Sequence, residues 1–313
     1  MDITIRQLAE HEVPAADHIF RLAFGTFVGL PDPLQFSGDT AYVRSRWLAN
    51  PGASFAAVRG DELLGSNFAT RWGTFGFFGP LSVRPELWDQ GVAKRLLIAT
   101  MERFEAWRLE HAGLFTFAQS PKHIGLYHHF GFYPRFLTAI MAKPVSAPAR
   151  LAATELLSAL PADAGSSSLA ACRSITDAIL DGLDLETEIR AVQQLALGDT
   201  LLLGEADAPR GFAVCHVGAG SEAGSDVCYV KFAAARPGPS AADEFVRLLD
   251  LCERFAAARQ VTQLVAGVNT AREPAYCALL ARGFRTIIQG VAMQRPNTPG
   301  FNRPDVFAID DWR

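Results

Sequence analysis

Apolar and polar positions alternate along this chain in two different periods, and the period changes repeatedly. Ile3 and Ile5 open a short strand, and Glu12 to Phe24 repeats its apolar residues at helical spacing, as does a stretch from Thr40 to Leu48. Ser54–Val58 and Leu63–Thr70 read as two strands joined by the turn Arg59-Gly60-Asp61-Glu62. Phe75–Val83 predicts a third strand and Gly91 to about Leu109 a long helix, with Ala93, Leu97, Met101 and Phe104 along one face. Leu114–Ala118 predicts a strand. Ser120-Pro121 then opens a helix with serine as N-cap and proline in the first turn, and Gly131 closes it. Leu137–Lys143 is the last strand before the pattern lapses.

Residues 144–170, rich in proline, alanine and serine, predict a linker with one helix, Leu151–Leu160. Beyond it the pattern resumes, with helices near 174–196 and strands at Thr200–Gly204, Gly211–Val217 and Cys228–Ala234. Helix Ala242–Arg259, strand Thr262–Val268, helix Glu273–Ala281 and strand Arg285–Met293 complete the same order of elements. Arg84-Pro85 recurs as Arg236-Pro237, Leu96-Leu97 as Leu248-Leu249 and Gly131-Phe132 as Gly283-Phe284, each 152 positions on. Three dipeptides at one offset, each at the same place in the order, identify a duplicated α/β unit. The boundaries expected are 1–145 and 171–295 for the two copies, 146–170 for the linker and 296–313 for a tail. That tail, with Val306, Phe307, Ile309 and Trp312, is apolar enough to cover a cleft.

Composition narrows the function. The 313 residues are 49% hydrophobic and 20% charged with net charge −4, so no basic face for nucleic acid is expected. No apolar run reaches the roughly 18 residues of a membrane span, and the start MDITIRQL lacks a secretory pattern, which points to a cytoplasmic protein. The five cysteines (172, 215, 228, 252, 277) include no C-x-x-C pair, so neither a disulfide framework nor a metal site is expected.

The chemistry concentrates in Leu81–Leu97, LSVRPELWDQGVAKRLL. A strand leads through a short loop into a helix whose first N–H groups are free to bind an anion. Glycine and alanine at 91 and 93 keep side chains out of the way, and Lys94 adds a positive charge. The alternative is a plain strand-to-helix connection in which Gly91 only eases packing. Val83, Pro85, Gly91 and Ala93, followed by Leu126-Tyr127-His128-His129-Phe130-Gly131-Phe132, resemble the coenzyme A motif and the later helix of the GNAT superfamily of N-acetyltransferases. Trp88 departs from the Arg or Gln usual at its position, a side chain that helps close the loop. The resemblance covers roughly 2–143 and, more weakly, 171–295.

The resemblance implies two tandem domains, each a mixed, mostly antiparallel central sheet flanked by helices, of which the second is degenerate. It implies acetyl-CoA as co-substrate and transfer of its acetyl group to a primary amine, with a small-molecule acceptor expected. The coenzyme would lie against Leu81, Ser82 and Val83, against Asp89, Gln90, Gly91, Val92, Ala93 and Lys94, and beside Ser120, whose other reading is an N-cap alone. Tyr127 would be the general acid for the thiolate leaving group; its alternative is a half-buried helix tyrosine. The base stays open: the strand FGFFGPLSV has no ionisable group, and His123, His128, His129, Asp32 and Asp39 are all candidates. Gly79-Pro80 fits either a break that splays two strands or a strand that starts at Leu81.

In the second copy Gly91 corresponds to Asp243, Ala93 to Phe245, Lys94 to Val246 and Tyr127 to Leu279, which removes the cradle, although Asn269 and Tyr276 leave room for some pocket. Phe24, Phe27 and Phe36 fall where the resemblance places the acceptor wall. Two other readings stand beside acetyl transfer: transfer of a different acyl group, and an acyl-CoA-binding sensor without turnover.

Overall fold

The computed structural model describes residues 2–313, apart from the side chains at 162 and 163. The first copy runs β1 (Thr4–Gln7), α1 (Val13–Phe27), α2 (Tyr42–Ala49), β2 (Ser54–Arg59), β3 (Glu62–Trp72), β4 (Phe75–Phe78), β5 (Ser82–Val83), α3 (Val92–Ala106), β6 (His111–Thr116), α4 (Pro121–His128) and β7 (Tyr133–Pro144). The second runs α5 (Ala162–Ile179), α6 (Glu186–Gln194), β8 (Gly198–Glu205), β9 (Ala208–Gly218), β10 (Gly224–Ala235), α7 (Ala241–Ala258), β11 (Gln263–Asn269), α8 (Glu273–Ala281) and β12 (Arg285–Arg295), and the tail adds β13 (Ala308–Ile309). The offset of 152 carries the starts of α4 and β7 onto those of α8 and β12. The fold is mixed α/β, as the pattern predicts.

Two stretches differ from the expectation. Residues 151–160 form two 3₁₀ turns, Ala153–Glu155 and Leu157–Ala159, and the helix instead starts at Ala162, inside the stretch whose composition suggests a linker. Alanine and serine are compatible with both, and packing of Cys172, Ile175 and Ile179 into the core decides for helix. The helices expected near 174–196 are the end of α5 and α6, separated where Gly182 takes a φ of +69° and its carbonyl accepts from Thr74 N. The strand over 75–83 is interrupted: β4 ends at Phe78 and only Ser82–Val83 returns to pair with β3.

The strands form one continuous sheet in the order β1-β2-β3-β4-β6-β12-β7-β11-β10-β9-β8, with β5 and β13 as side branches. β4 with β6 and β10 with β11 are the parallel pairs; the other neighbours are antiparallel. The two last strands are exchanged between copies. β12, from the second copy, lies against β6 of the first (Val291 opposite Thr116), and β7 lies against β11 (Lys143 opposite Leu264). The halves therefore share backbone hydrogen bonds as well as side-chain packing.

Burial follows the same division. Val92, Leu96, Leu97, Met101 and Phe104 of α3 cover one face of the first copy's sheet, and Val13, Ala16, Ile19 and Phe20 of α1 cover the other. A third core joins the copies: Trp72 and Phe77 meet Phe212 and Phe232, and Phe301 and Trp312 of the tail close it. No helix among the described residues is long and apolar enough to cross a membrane.

Candidate active site

β4 and β6 pair in parallel only as far as Phe77 opposite Gly113. Past that point the backbone leaves the ladder at Gly79-Pro80-Leu81 and rejoins β3, Ser82 opposite Ser66 and Val83 opposite Gly65. β6 instead continues straight to Thr116 beside β12. The two strands thus open into a cleft at their C-terminal ends, and of the two readings of Gly79-Pro80 the break is the one found. Among the described residues β5 pairs with no strand but β3, so its other edge faces the cleft.

The loop from Val83 delivers α3 to this cleft. Pro85–Leu87 make one 3₁₀ turn, and Gly91, the N-cap of α3, takes φ +80°, a conformation that glycine adopts without strain. A Cβ placed on Gly91 would meet nothing within 4 Å apart from its own neighbours in the chain, so the start of α3 is open there. Trp88, where the usual Arg or Gln is missing, closes the loop itself by donating from Nε1 to the Val83 carbonyl at 2.9 Å. Lys122, in the first turn of α4, pairs with Asp89 at 2.7 Å and lies over the Trp88 ring at 5.7 Å. This strap holds the start of α4 beside the start of α3. Lys94 and Gln90 are exposed, and Lys94 enters no ion pair among the described residues.

Ser120 caps α4 by accepting from His123 N at 3.3 Å. About two turns further on, Tyr127 is buried to 8% exposure, its ring 5.7 Å from that of Phe78 at the end of β4. Its hydroxyl enters no hydrogen bond among the described residues, and burial raises its pKa well above the ordinary tyrosine value, which keeps the phenol protonated at neutral pH.

The candidate bases separate clearly. Asp32 caps a 3₁₀ turn through Leu34 N at 3.1 Å, and Asp39 accepts from Ser225 N at 3.1 Å and from the Ser225 hydroxyl, so both carboxylates serve local or inter-copy structure. His128 and His129 are exposed at the far end of α4. His123 differs: it is half-buried with its ring 4.8 Å from Phe27, and burial first, then Lys122, holds its pKa below the usual histidine value. Phe27 packs in turn on Phe117, just past the end of β6, at 5.0 Å, and Phe117 lies 6.3 Å from Phe24, which meets Phe36 at 5.4 Å. These half-buried rings form an aromatic wall between α1, the segment before α2, and the mouth of the cleft.

In the second copy the equivalent cleft is filled by the protein itself. β10 and β11 pair only as far as Val230 opposite Ala266, and the tail enters where they diverge. Ile309 and Ala308 pair with Ala233 and Ala234, Ala235 N donates to Phe307 O at 3.0 Å, and Asp310 N donates to Gly267 O at 3.0 Å. Ala233–Ala235 are the positions matched to Leu81–Val83. The buried pair Arg272–Asp310 at 2.5 Å and the bond from Tyr229 to Asp311 at 3.0 Å lock the tail in place. Phe245 is fully buried, and Asn269 is spent on Arg135 O, Thr138 and Ala271 N. The tail, expected from its apolar residues to cover a cleft, fills this one; which cleft it takes is not written in the local pattern.

Residues 17–132 match the model of the acetyltransferase (GNAT) family. No characterised protein sequence matches the chain. Among solved structures, a Pyrococcus horikoshii protein classed as an acetyltransferase aligns over 99% of this chain and 95% of its own, with TM-score 0.68 and 14% identity. A GCN5-related N-acetyltransferase from Sphaerobacter thermophilus aligns over 94% and 95%, with TM-score 0.59 and 14% identity. At these identities the likeness is one of fold, and it extends through both copies.

Proposed function

From the match of residues 17–132 to the GNAT acetyltransferase family, which supports acyl-CoA-dependent acetyl transfer, we propose that the first copy moves an acetyl group from acetyl-CoA to a primary amine of a small molecule. The observation that carries this reading is the combination at the cleft: a free edge on β5, an open helix start at Gly91, and a protonated, otherwise unbonded phenol at Tyr127. The coenzyme, when bound, supplies an activated thioester. The N–H groups of Gly91, Val92, Ala93 and Lys94 would hold its diphosphate, aided by the helix dipole and the Lys94 charge. Asp89 and Gln90 shape the approach to that cradle, with Asp89 kept in place by Lys122.

The free edge of Leu81-Ser82-Val83 offers backbone donors and acceptors to the extended pantetheine arm, as the matched edge of the second copy offers them to the tail. Ser120 accepts from His123 N and keeps its own hydrogen for the coenzyme. Tyr127 would deliver its proton to the departing sulfur. The incoming amine meets the aromatic wall, where His123, held neutral by burial, would take the amine's proton. That wall favours an acceptor with an apolar or aromatic portion.

The second copy keeps the frame and lacks the site, so we propose that it acts structurally. Coenzyme titration by calorimetry together with release of free thiol across a library of primary amines tests the reading. Acetyl-CoA binding with amine-dependent thiol release supports it; binding without turnover over the whole library would favour a sensor of acyl-CoA, and turnover with another thioester alone a different acyl group.

A further inference from the structure

Between the copies, beside the edge of β3 left uncovered where β2 ends, lies a partly open cavity of about 240 Å³, far larger than the roughly 10–15 Å³ one water requires. Its inner wall is charged and buried. Arg46 of α2 pairs with Glu222 at 2.6 Å, Lys231 of β10 with the same carboxylate at 2.5 Å, and Glu188 of α6 faces Lys231 at 3.5 Å. The four charges cancel. Burial, the largest single influence, opposes ionisation of Glu188, but Lys231 and His216 together outweigh it and hold the carboxyl down to about 2.

Two groups on this wall have unused bonding capacity. His216 of β9 is 1% exposed, lines the cavity, and neither ring nitrogen has a hydrogen-bond partner. Glu188 Oε1 has Lys231 at 3.5 Å and His216 Nε2 at 3.8 Å as its neighbours, both longer than good hydrogen bonds, while Oε2 is bonded by Trp72. A neutral imidazole carries one donor and one acceptor, and leaving both buried without partners is unfavourable. At the rim, Arg71 uses only Nε, on the Gly73 carbonyl, and its other guanidinium donors are free.

We propose that this cavity binds a small zwitterion of the amino-acid class, its ammonium between Glu188 Oε1 and His216 and its carboxylate on Arg71. A net-neutral ligand suits a wall whose charges already balance, and separated charges suit an inner acceptor with a cationic rim. Small apolar residues, Ala49 and Ala191 among them, leave room for a short side chain. The site draws Arg71 from one copy and Glu188 and His216 from the other, so it exists only in the tandem chain. Arg71, Glu188 and His216 are not residues of the coenzyme cleft, which this wall touches through the bond from Arg46 to the Gly79 carbonyl at 3.0 Å.

The test is calorimetry and thermal melting of the full chain with each of the standard L-amino acids at millimolar concentration. At least one should bind once per chain and raise Tm. Its affinity should fall by about tenfold or more in Glu188→Gln, which keeps the shape and removes the charge. The exposed position Ala49 allows a second variant, Ala49→Trp, which blocks the cavity without disturbing the buried charges and should also abolish binding. Gly91→Asp should leave it unchanged. Absence of binding by every amino acid in the wild type would mean that the cavity holds water only and would overturn the proposal. So would affinity retained in Ala49→Trp, which would place the ligand elsewhere.

Discussion

Tyr127 and Trp88 show how much a single position discloses. The tyrosine is legible in the sequence because its neighbours Leu126 and Gly131-Phe132 match a known helix, and burial against Phe78 supplies the physical reason its proton stays on. Tyr127→Phe keeps the ring packing and removes only the hydroxyl. Coenzyme affinity should be unchanged and turnover reduced by roughly 10² to 10⁴-fold, as steady-state kinetics beside calorimetry will measure. Trp88 reads in the sequence as a defect, and only the geometry reveals that its indole closes the loop in another way. Arg46 gave no signal at all, because its partner Glu222 lies in the other copy. Arg46→Ala would leave that buried carboxylate with Lys231 as its remaining cation, at a cost of about 3 kcal/mol in chemical denaturation, the low end for breaking a buried pair. Glu188 adds a pH dependence. Its carboxyl titrates near 4.5 when unfolded and near 2 when folded, so its stabilisation is complete above about pH 4.5 and drains as pH falls toward 2. Glu188→Gln should flatten that acid limb of a denaturation series.

At the scale of elements, local pattern suffices where packing agrees with it and fails where it does not. The helix of α4 follows from Ser120, Pro121 and Gly131, and Ser120→Ala should cost about 1 kcal/mol of stability by thermal melting, since the lost bond to His123 N has no replacement. The break between β4 and β5 was one of two readings, because a run of apolar residues looks the same whether or not its backbone stays in a ladder. Helices near 174–196 are legible, but where they divide depends on Gly182 meeting Thr74, a contact across the copies that no local window contains. Strand exchange is hidden for the same reason. β7 and β12 each have the pattern of a strand, and which neighbour each chooses is a property of the whole sheet.

For the whole molecule, the two copies divide one inheritance. Both have a cleft between parallel strands; one cleft keeps a free edge and an open helix start, and the other holds residues 307–311 of the same chain. The tail is therefore part of the core, with Trp312 packed 5.0 Å from Phe75 and against Phe301. Trp312→Ala should destabilise the chain by about 3–5 kcal/mol, read from denaturant midpoints at constant m-value. The central claim is that only the first copy takes coenzyme, because Gly91 opens its cradle while Asp243 and the tail close the other. Calorimetric stoichiometry with acetyl-CoA on the wild type and on Gly91→Asp, which imports the second copy's own residue, tests it most directly. The account predicts one equivalent per chain in the wild type and none in the folded variant; two equivalents in the wild type, or one retained in Gly91→Asp, would contradict it.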